Sequence, residues 1–535
     1  MQRRTPTEEL LDLAADVLAD DRHAIRTAAK GAPFISLGGG LSEAVRLLAT
    51  ADDQFGMLVD LAGLLGPAPL EEVLSLAVPA PAPARRGGPG RSVREPLPEQ
   101  GALLATEEFT GSGTVYQMSS AELTGPLDRS ALRTALRALV ARHEGLRTVF
   151  SWSPKGPVRR VPVHGEAQLV VRDADIPAPG QDAVESVHAA IRATAGLLGG
   201  NADRPPAVFT LTRYSDEHHV LTFVHHLAVA DTWSVGLIWR ELFEDYERAA
   251  DGKPVPQSPA PSPDAALERA GELAASGVVH SLTSRRLAQL ADFPTTVELP
   301  GTGGRPPTFD FVGDQLLFSV PPEVRDRCDL VVRRAGVSRT AVLLGAWALT
   351  VGRLAGTDRL LIGTRIPRRP TSGLMRTVAP CTPTVPVRCE LQGTVDYFLR
   401  GIACAFSEGI EFADVPLKSL SRGLGVPPDR SRTPLVQIGF SSQEDLLPAL
   451  TDVAGLGVRL SSGHFGGASA DAELTVSRWG VDPLLALSYA TSVLAEDEAA
   501  ALAEAVSETL RQLVTQPEDA PLDRVTVPEP VQHAG

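Results

Sequence analysis

The stretch "PAPAPARRGGPGRSVREPLPEQ", from Pro79 to Gln100, constrains this chain more than any other. Its prolines lack the amide hydrogen that a helix interior or a central strand requires, and its glycines favour an open, solvated path. A 535-residue chain with such a break after residue 78 is expected to fold in two parts, a small one before the break and a large one after it. The linker is placed at 79–95. Beyond Gln100 no helix or strand is excluded, and the chain there is long enough for two cores.

Before the linker the pattern is helical. Thr7-Glu8-Glu9-Leu10 opens an amphipathic helix with a capping-box-like start, Ser42 to Ala49 makes a second, and Pro69 to Leu74 a short last one. After the linker, strands and helices alternate in an α/β pattern. Leu132, Ala135, Leu136, Leu139 and Val140 lie on one helical face, and Val220 to Val224 is a buried-strand run that stops at His225-His226. Residues 254–263 are rich in proline and mark a surface crossing. A second α/β half follows: Ser338 caps a helix to about Leu354, with strands at Arg359–Gly363, Thr384–Val387, Leu435–Phe440 and Leu484–Tyr489, and a closing helix from Asp497 to Val514. The two halves are set at 96–270 and 271–535.

A net charge of −15 argues against nucleic acid or an anionic membrane as partner. The longest apolar segment, Thr340 to Leu354, is too short to cross a bilayer and no stretch has the form of a signal peptide, so a cytoplasmic protein is expected. The four cysteines, Cys328, Cys381, Cys389 and Cys404, are too dispersed for a short-spaced metal pair and too few for a disulfide framework. No metal site is expected.

Five separated stretches resemble, in order and spacing, the condensation domains of nonribosomal peptide synthetases. They are "LTGPLDRSALRTALRALVARHEGLRTVF" (123–150), "DEHHVLTFVHHLAVADTWS" (216–234), "LIGTRIPRR" (361–369), "TPTVPVR" (382–388) and "PPDRSRTPLVQIGFSSQ" (427–443). The resemblance covers about residues 96–525 and implies two chloramphenicol-acetyltransferase-like lobes in a V, with a tunnel between them. It places His226, beside His225, where a carrier-bound thioester meets its nucleophile. A group near neutral pKa there orients the nucleophile, takes its proton or stabilises the tetrahedral intermediate.

The resemblance also shows departures. "HHLAVADTWS" is one residue longer than the family's pattern: counting from the histidines puts Ala230 at the aspartate position, whereas counting back from Trp233 puts Asp231 there and Leu227 at the catalytic one. With the histidines kept in register, the extra residue falls in the following loop. Asp231 is then expected to pair with Arg369 as a structural element of the site, provided the extra residue bulges outward. Thr232 replaces the usual glycine and narrows the entry of a pantetheine arm, Pro383 replaces the usual asparagine, and Trp233 and Ser441 complete the substrate-binding set that the resemblance implies. His143, Glu144 and Arg147 are read as local hydrogen-bonding residues and His218-His219 as a strand entry. Arg365, Arg368 and Arg369 are candidates for a phosphopantetheine phosphate, with a solvated cluster as an equal alternative for the first two.

Residues 1–78 carry a second resemblance. "FISLGGGLSEAV", 34–45, is similar to the loop of peptidyl-carrier domains that ends in the phosphopantetheine-bearing serine, but Leu41 holds the serine position and Ser42 comes one residue late. One residue turns a helix by about 100°. The unit is read as a degenerate pseudo-carrier with a structural, docking or gating role.

Together the resemblances imply a stand-alone condensation enzyme of antibiotic or related natural-product biosynthesis. It forms an amide between an (amino)acyl thioester on a separate carrier protein and a soluble amine. No cofactor is permanently bound; the donor arrives on its carrier's phosphopantetheine arm, since no working carrier is seen before Gly535. An ester-forming reaction with an alcohol, and a catalytically silent docking domain, are the alternatives.

Overall fold

The computed structural model describes residues 5–18, 21–79, 93–110, 114–163, 165, 168–175, 181–193, 204–301, 304–443, 447–448, 451–480 and 482–528, with backbone alone at 41, 42, 45, 49 and 109. The N-terminal unit holds helices Pro6–Leu18, Arg22–Ala28, Leu41–Phe55, Leu61–Leu64 and Leu70–Ser75. Its first cap lies earlier than expected: the Thr5 N–H donates to Glu8 Oε2 (2.8 Å) and the Glu8 N–H to Thr5 Oγ1 (3.3 Å). Pro6 supplies the first-turn φ, which makes Thr5 rather than Thr7 the boundary. Helix Arg22–Ala28, capped by Asp21, buries only Ile25 and so carries no readable period. The loop before Leu41 turns at Gly38, whose φ of 92° suits glycine. The side chains of Leu41 and Ser42, on which the loss of an attachment serine turns, lie outside the described residues.

Most of the linker, residues 80–92, also lies outside them. Its end is more ordered in secondary structure than its composition implies. Val93–Arg94 pairs with Arg159 and Arg160, and a helix runs Pro98–Thr110. Proline is tolerated where a helix begins, so "PLPEQ" starts this helix instead of forbidding it.

Two six-stranded mixed sheets follow. The first runs, edge to edge, Asp452–Val453, Leu456–Gly463, Tyr116–Thr124, His218–His226, Ala207–Arg213 and Leu169–Asp173. The second runs Gly313–Ser319, Leu484–Ala490, Ala472–Arg478, Ile438–Ser442, Arg359–Arg365 and Thr384–Glu390. A boundary at residue 270 therefore divides the chain but not the layers, because Leu456–Gly463 comes from the second half and pairs antiparallel with Tyr116–Thr124 of the first sheet. The return crossing passes Gly467, where a Cβ would sit 2.0 Å from the Thr114 carbonyl oxygen. Only glycine allows so close a backbone approach.

Helices Arg129–Arg142 and Thr232–Ala250 cover one face of the first sheet, burying Leu136, Leu139, Ile238 and Trp239. Trp239 Nε1 is satisfied by Ser119 Oγ at 2.9 Å, which lets a large indole enter the core without an orphaned donor. Helix Ala183–Arg192 covers part of the other face. Helices Pro322–Ala335, Arg339–Leu354, Val395–Glu411 and Glu496–Thr515 pack on the second sheet, with Trp347 Nε1 donating to the Gly439 carbonyl at 2.8 Å. The mixed α/β, two-sheet architecture is the one expected, and Ser338 caps its helix as read, accepting from the Ala341 N–H. No single described helix is long and apolar enough to cross a membrane.

The N-terminal unit shares one continuous hydrophobic core with the second sheet's helices. Ser407 Oγ donates to the Ala62 carbonyl at 2.7 Å, Arg376 pairs with Asp53 at 3.0 Å, and the Ser372 N–H donates to Asp52. The unit is thereby fixed beside the segment that supports Arg369.

Candidate active site

Strand His218–His226 ends against Tyr116–Thr124 with His226 opposite Tyr116 and His225 opposite Gln117. Strand alternation sends the two histidines to opposite faces of the sheet. His225 stacks on Phe223, with ring centroids 4.8 Å apart, and neither ring nitrogen has an aligned partner. Burial pulls its pKa down to about 3, so it is neutral at physiological pH. His226 is fully buried, with the Tyr116 ring edge-on to it at 5.1 Å.

Three hydrogen bonds fix the end of this strand: Leu227 N–H to the Val115 carbonyl (2.9 Å), Val229 N–H to the His226 carbonyl (2.8 Å), and Ala228 N–H to His226 Nδ1 (2.8 Å). The turn between His226 and Asp231 does not bulge outward. Ala228, Val229 and Ala230 are all buried. A compact turn of small apolar side chains carries the chain from His226 to Asp231 inside the core, which an exposed bulge would not need.

The turn delivers Asp231 to the N-cap of helix Thr232–Ala250, where its carboxylate accepts from the Ser234 N–H (2.9 Å) and Oγ (2.7 Å). Arg369 Nη2 lies 2.8 and 3.0 Å from its two oxygens, and the Cys381 N–H (2.9 Å) and Thr382 Oγ1 (2.7 Å) complete it. Burial alone would raise the Asp231 pKa, but Arg369 and these donors outweigh it and hold the carboxyl below the usual range. Arg369 donates further to the carbonyls of Leu374 (2.6 Å), Thr377 (2.7 Å) and Ala379 (2.7 Å). The expected pair thus joins a helix on the first sheet to a loop of the second.

A cavity of about 1920 Å³ opens between the sheets. Thr232, Pro383 and His225 line it, as do alternate, mostly polar residues of the second sheet such as Gln315, Glu473, Thr475 and Ser488. His226 does not line it but contacts Tyr116, which does; Leu227, the residue that counting back from Trp233 puts at the catalytic place, lines it as well. Trp233 points elsewhere, its Nε1 donating to the Met375 carbonyl at 2.9 Å, and Ser441 is buried, taking a bond from Gln443 Nε2 at 3.3 Å. Gln443, not Ser441, reaches the cavity wall.

The arginines are each matched by carboxylates. Arg365 faces Glu473 (3.1 and 3.2 Å), Arg368 bridges Glu99 and Asp414 (3.0 Å each), and Arg369 has Asp231. The cluster is therefore neither a solvated patch nor a spare anion site: its charge is already neutralised within the protein. His143 (to Glu241, 2.8 Å) and Arg147 (to three carbonyls) make the local bonds read for them, and Glu144 meets Arg94 and Ser262.

Two residues on helix Pro98–Thr110 have no counterpart among the sequence-based candidates. Gln100 is buried, accepting from the Leu97 N–H and donating to the Ala228 carbonyl, both at 2.8 Å, and so ties the helix to the turn after His226. Glu107 lies with Oε2 3.3 Å from His226 Nε2. In "GALLATEEFT" two adjacent glutamates look like a solvated face, and only the long-range packing distinguishes Glu107 from Glu108.

The profile of the family described as Condensation domain matches residues 96–534. Tyrocidine synthase 2 of Brevibacillus parabrevis is 26% identical over 426 residues, 78% of this chain, and malpibaldin synthetase of Mortierella alpina is 27% identical over 377 residues, 67% of it. The chain spans only 11% and 6% of those two proteins' lengths. Among solved structures, the X-domain from teicoplanin biosynthesis superposes with a TM-score of 0.71 at 22% identity, covering 84% of this chain and 100% of that one. The first condensation domain of the calcium-dependent antibiotic synthetase does so with a TM-score of 0.71 at 19% identity, covering 82% and 100%.

Proposed function

Because this chain belongs to the condensation-domain family of nonribosomal peptide synthesis, we propose that it is a working condensation enzyme of natural-product, including antibiotic, biosynthesis. It joins a carrier-bound (amino)acyl thioester to a soluble amine and releases an amide. The observation that carries this reading is His226 at the end of a strand beside a cavity between two clasped sheets. Its ring is held in one orientation by Ala228, as a residue that must meet a reacting group requires. The cavity, about 1920 Å³, has room for a donor arm and a small acceptor, and the fused helical unit acts as a docked pseudo-carrier.

The experiment is reconstitution with separately expressed, acyl-loaded carrier proteins and free amines or alcohols, followed by mass spectrometry of the products. Amide formation that requires both carrier and amine supports the reading. Equal rates from acyl-coenzyme A would remove the carrier, and a preference for alcohols would make the enzyme ester-forming.

One observation favours a second reading, that of a silent docking domain. His226 is buried against Tyr116 and Glu107, and the fold is also that of an X-domain, one of which has been solved in complex with OxyB. On that reading no donor or acceptor combination yields product.

A further inference from the structure

His226 Nδ1 accepts the Ala228 N–H at 2.8 Å. A ring nitrogen that accepts carries no hydrogen, so this bond assigns the hydrogen of the neutral imidazole to Nε2. The catalytic-side nitrogen is then a donor and has no lone pair with which to take a proton. Nε2 is buried, has no aligned hydrogen-bond partner, and lies 3.3 Å from Glu107 Oε2.

The position of Glu107 is built. At one end of its helix Gln100 is bonded to the Ala228 carbonyl and Glu99 to Arg368 (3.0 Å); at the other, Thr110 Oγ1 meets Thr114 Oγ1 at 2.8 Å. Leu103 and Ala105 on the same helix, and Tyr116 facing it, line the cavity. The Glu107 side chain keeps 24% of its surface exposed while that of His226 keeps 1%. Neither side chain lines the cavity itself, and of the two the carboxylate is the more open.

We propose that Glu107 is a catalytic residue whose carboxylate receives the acceptor as a primary ammonium ion beside the His226 ring and takes the proton the amine must lose. The proposal deepens the condensation reading and rests on it. Proton transfer converts R–NH3+ and the carboxylate to R–NH2 and the carboxylic acid. The nitrogen lone pair then forms the C–N bond as the thioester C=O pair moves to oxygen, where the His226 Nε2–H donates to it. On return of that pair the C–S bond breaks, the thiolate takes the second N–H proton, and Glu107 gives its own to solvent. An alcohol brings no charge for the carboxylate to hold, so the site selects amines.

The test compares wild type with Glu107→Gln, using N-acetylcysteamine acyl thioesters with propylamine, an ammonium at pH 7, and with hydroxylamine, which is neutral there. Glutamine keeps the shape but neither the charge nor the proton site. The expected result is a loss in kcat/KM of roughly 100-fold for propylamine and near-unchanged transfer to hydroxylamine. Equal losses for both nucleophiles, or no loss, overturn the proposal. A second readout needs no turnover: the imidazole 15N signals of His226 should report the Nε2–H form and shift on titration with propylammonium in wild type but not in Glu107→Gln. If wild type transfers to no amine, the condensation reading falls, and a His226 signal indifferent to propylammonium then overturns the Glu107 assignment by itself.

Discussion

The carboxylate of Asp231 accepts from Arg369, Ser234, Cys381 and Thr382 while buried, and Arg369 has no other counter-charge beside it among the described contacts. Removing either partner strands a buried charge at a cost of about 3–5 kcal/mol. Asp231→Ala and Arg369→Ala are therefore expected to be destabilising singly and sub-additive together, with a coupling of roughly 2–3 kcal/mol in denaturant unfolding; additive losses would show that the pair does not act as one. Spacing alone left Ala230 and Asp231 competing for this role, because a turn's length is not written in any local period. His225 provides a pH signature. Its folded pKa of about 3 lies below the value of about 6.5 it has when unfolded, so the unfolded state binds more protons between the two and stability falls as pH drops through that window. In His225→Gln the fall between pH 6.5 and 4.5 should be shallower by up to about 1.4 kcal/mol per pH unit, read from urea midpoints; an unchanged slope would contradict a neutral, buried His225.

Elements with a strong local period were legible in the sequence. The run Val220–Val224 lies within strand His218–His226, and the helix expected from Asp497 to Val514 is observed at Glu496–Thr515. What stayed hidden was long-range. Strand Leu456–Gly463 is not among the strands read from the sequence, and only its pairing with Tyr116–Thr124 shows that it belongs to the first sheet. Helix Pro98–Thr110, which carries Gln100 and Glu107, begins inside a proline-rich stretch whose composition points the other way. Helix Leu41–Phe55 carries its own prediction: leucine at its first position has no nucleophilic oxygen, so coenzyme A and a broad phosphopantetheinyl transferase should leave the intact mass unchanged. A mass increase abolished by Ser42→Ala would mean that the unit is a working carrier.

At the scale of the whole molecule, the N-terminal unit and the second sheet's helices bury Leu47, Leu64, Phe398 and Ile402 in one core. Each large apolar side chain so buried contributes about 1.5–3 kcal/mol. A protein lacking residues 1–78 should therefore be recovered aggregated or with a melting midpoint lowered by several degrees; an unchanged midpoint would show that the unit is an appendage. The same packing sets Asp52 and Asp53 against Ser372 and Arg376, next to the loop whose carbonyls hold Arg369. The three parts of the chain thus converge on the turn that orients His226. The most direct measurement is the rate at which wild type and His226→Ala transfer an acyl group from a loaded carrier protein to a free primary amine, with folding checked by circular dichroism. The expected result is amide formation by wild type and a rate lower by roughly 100-fold or more in the folded variant. Equal rates, or no product from wild type with any loaded carrier, would contradict the assignment of His226 as the centre of a working condensation site.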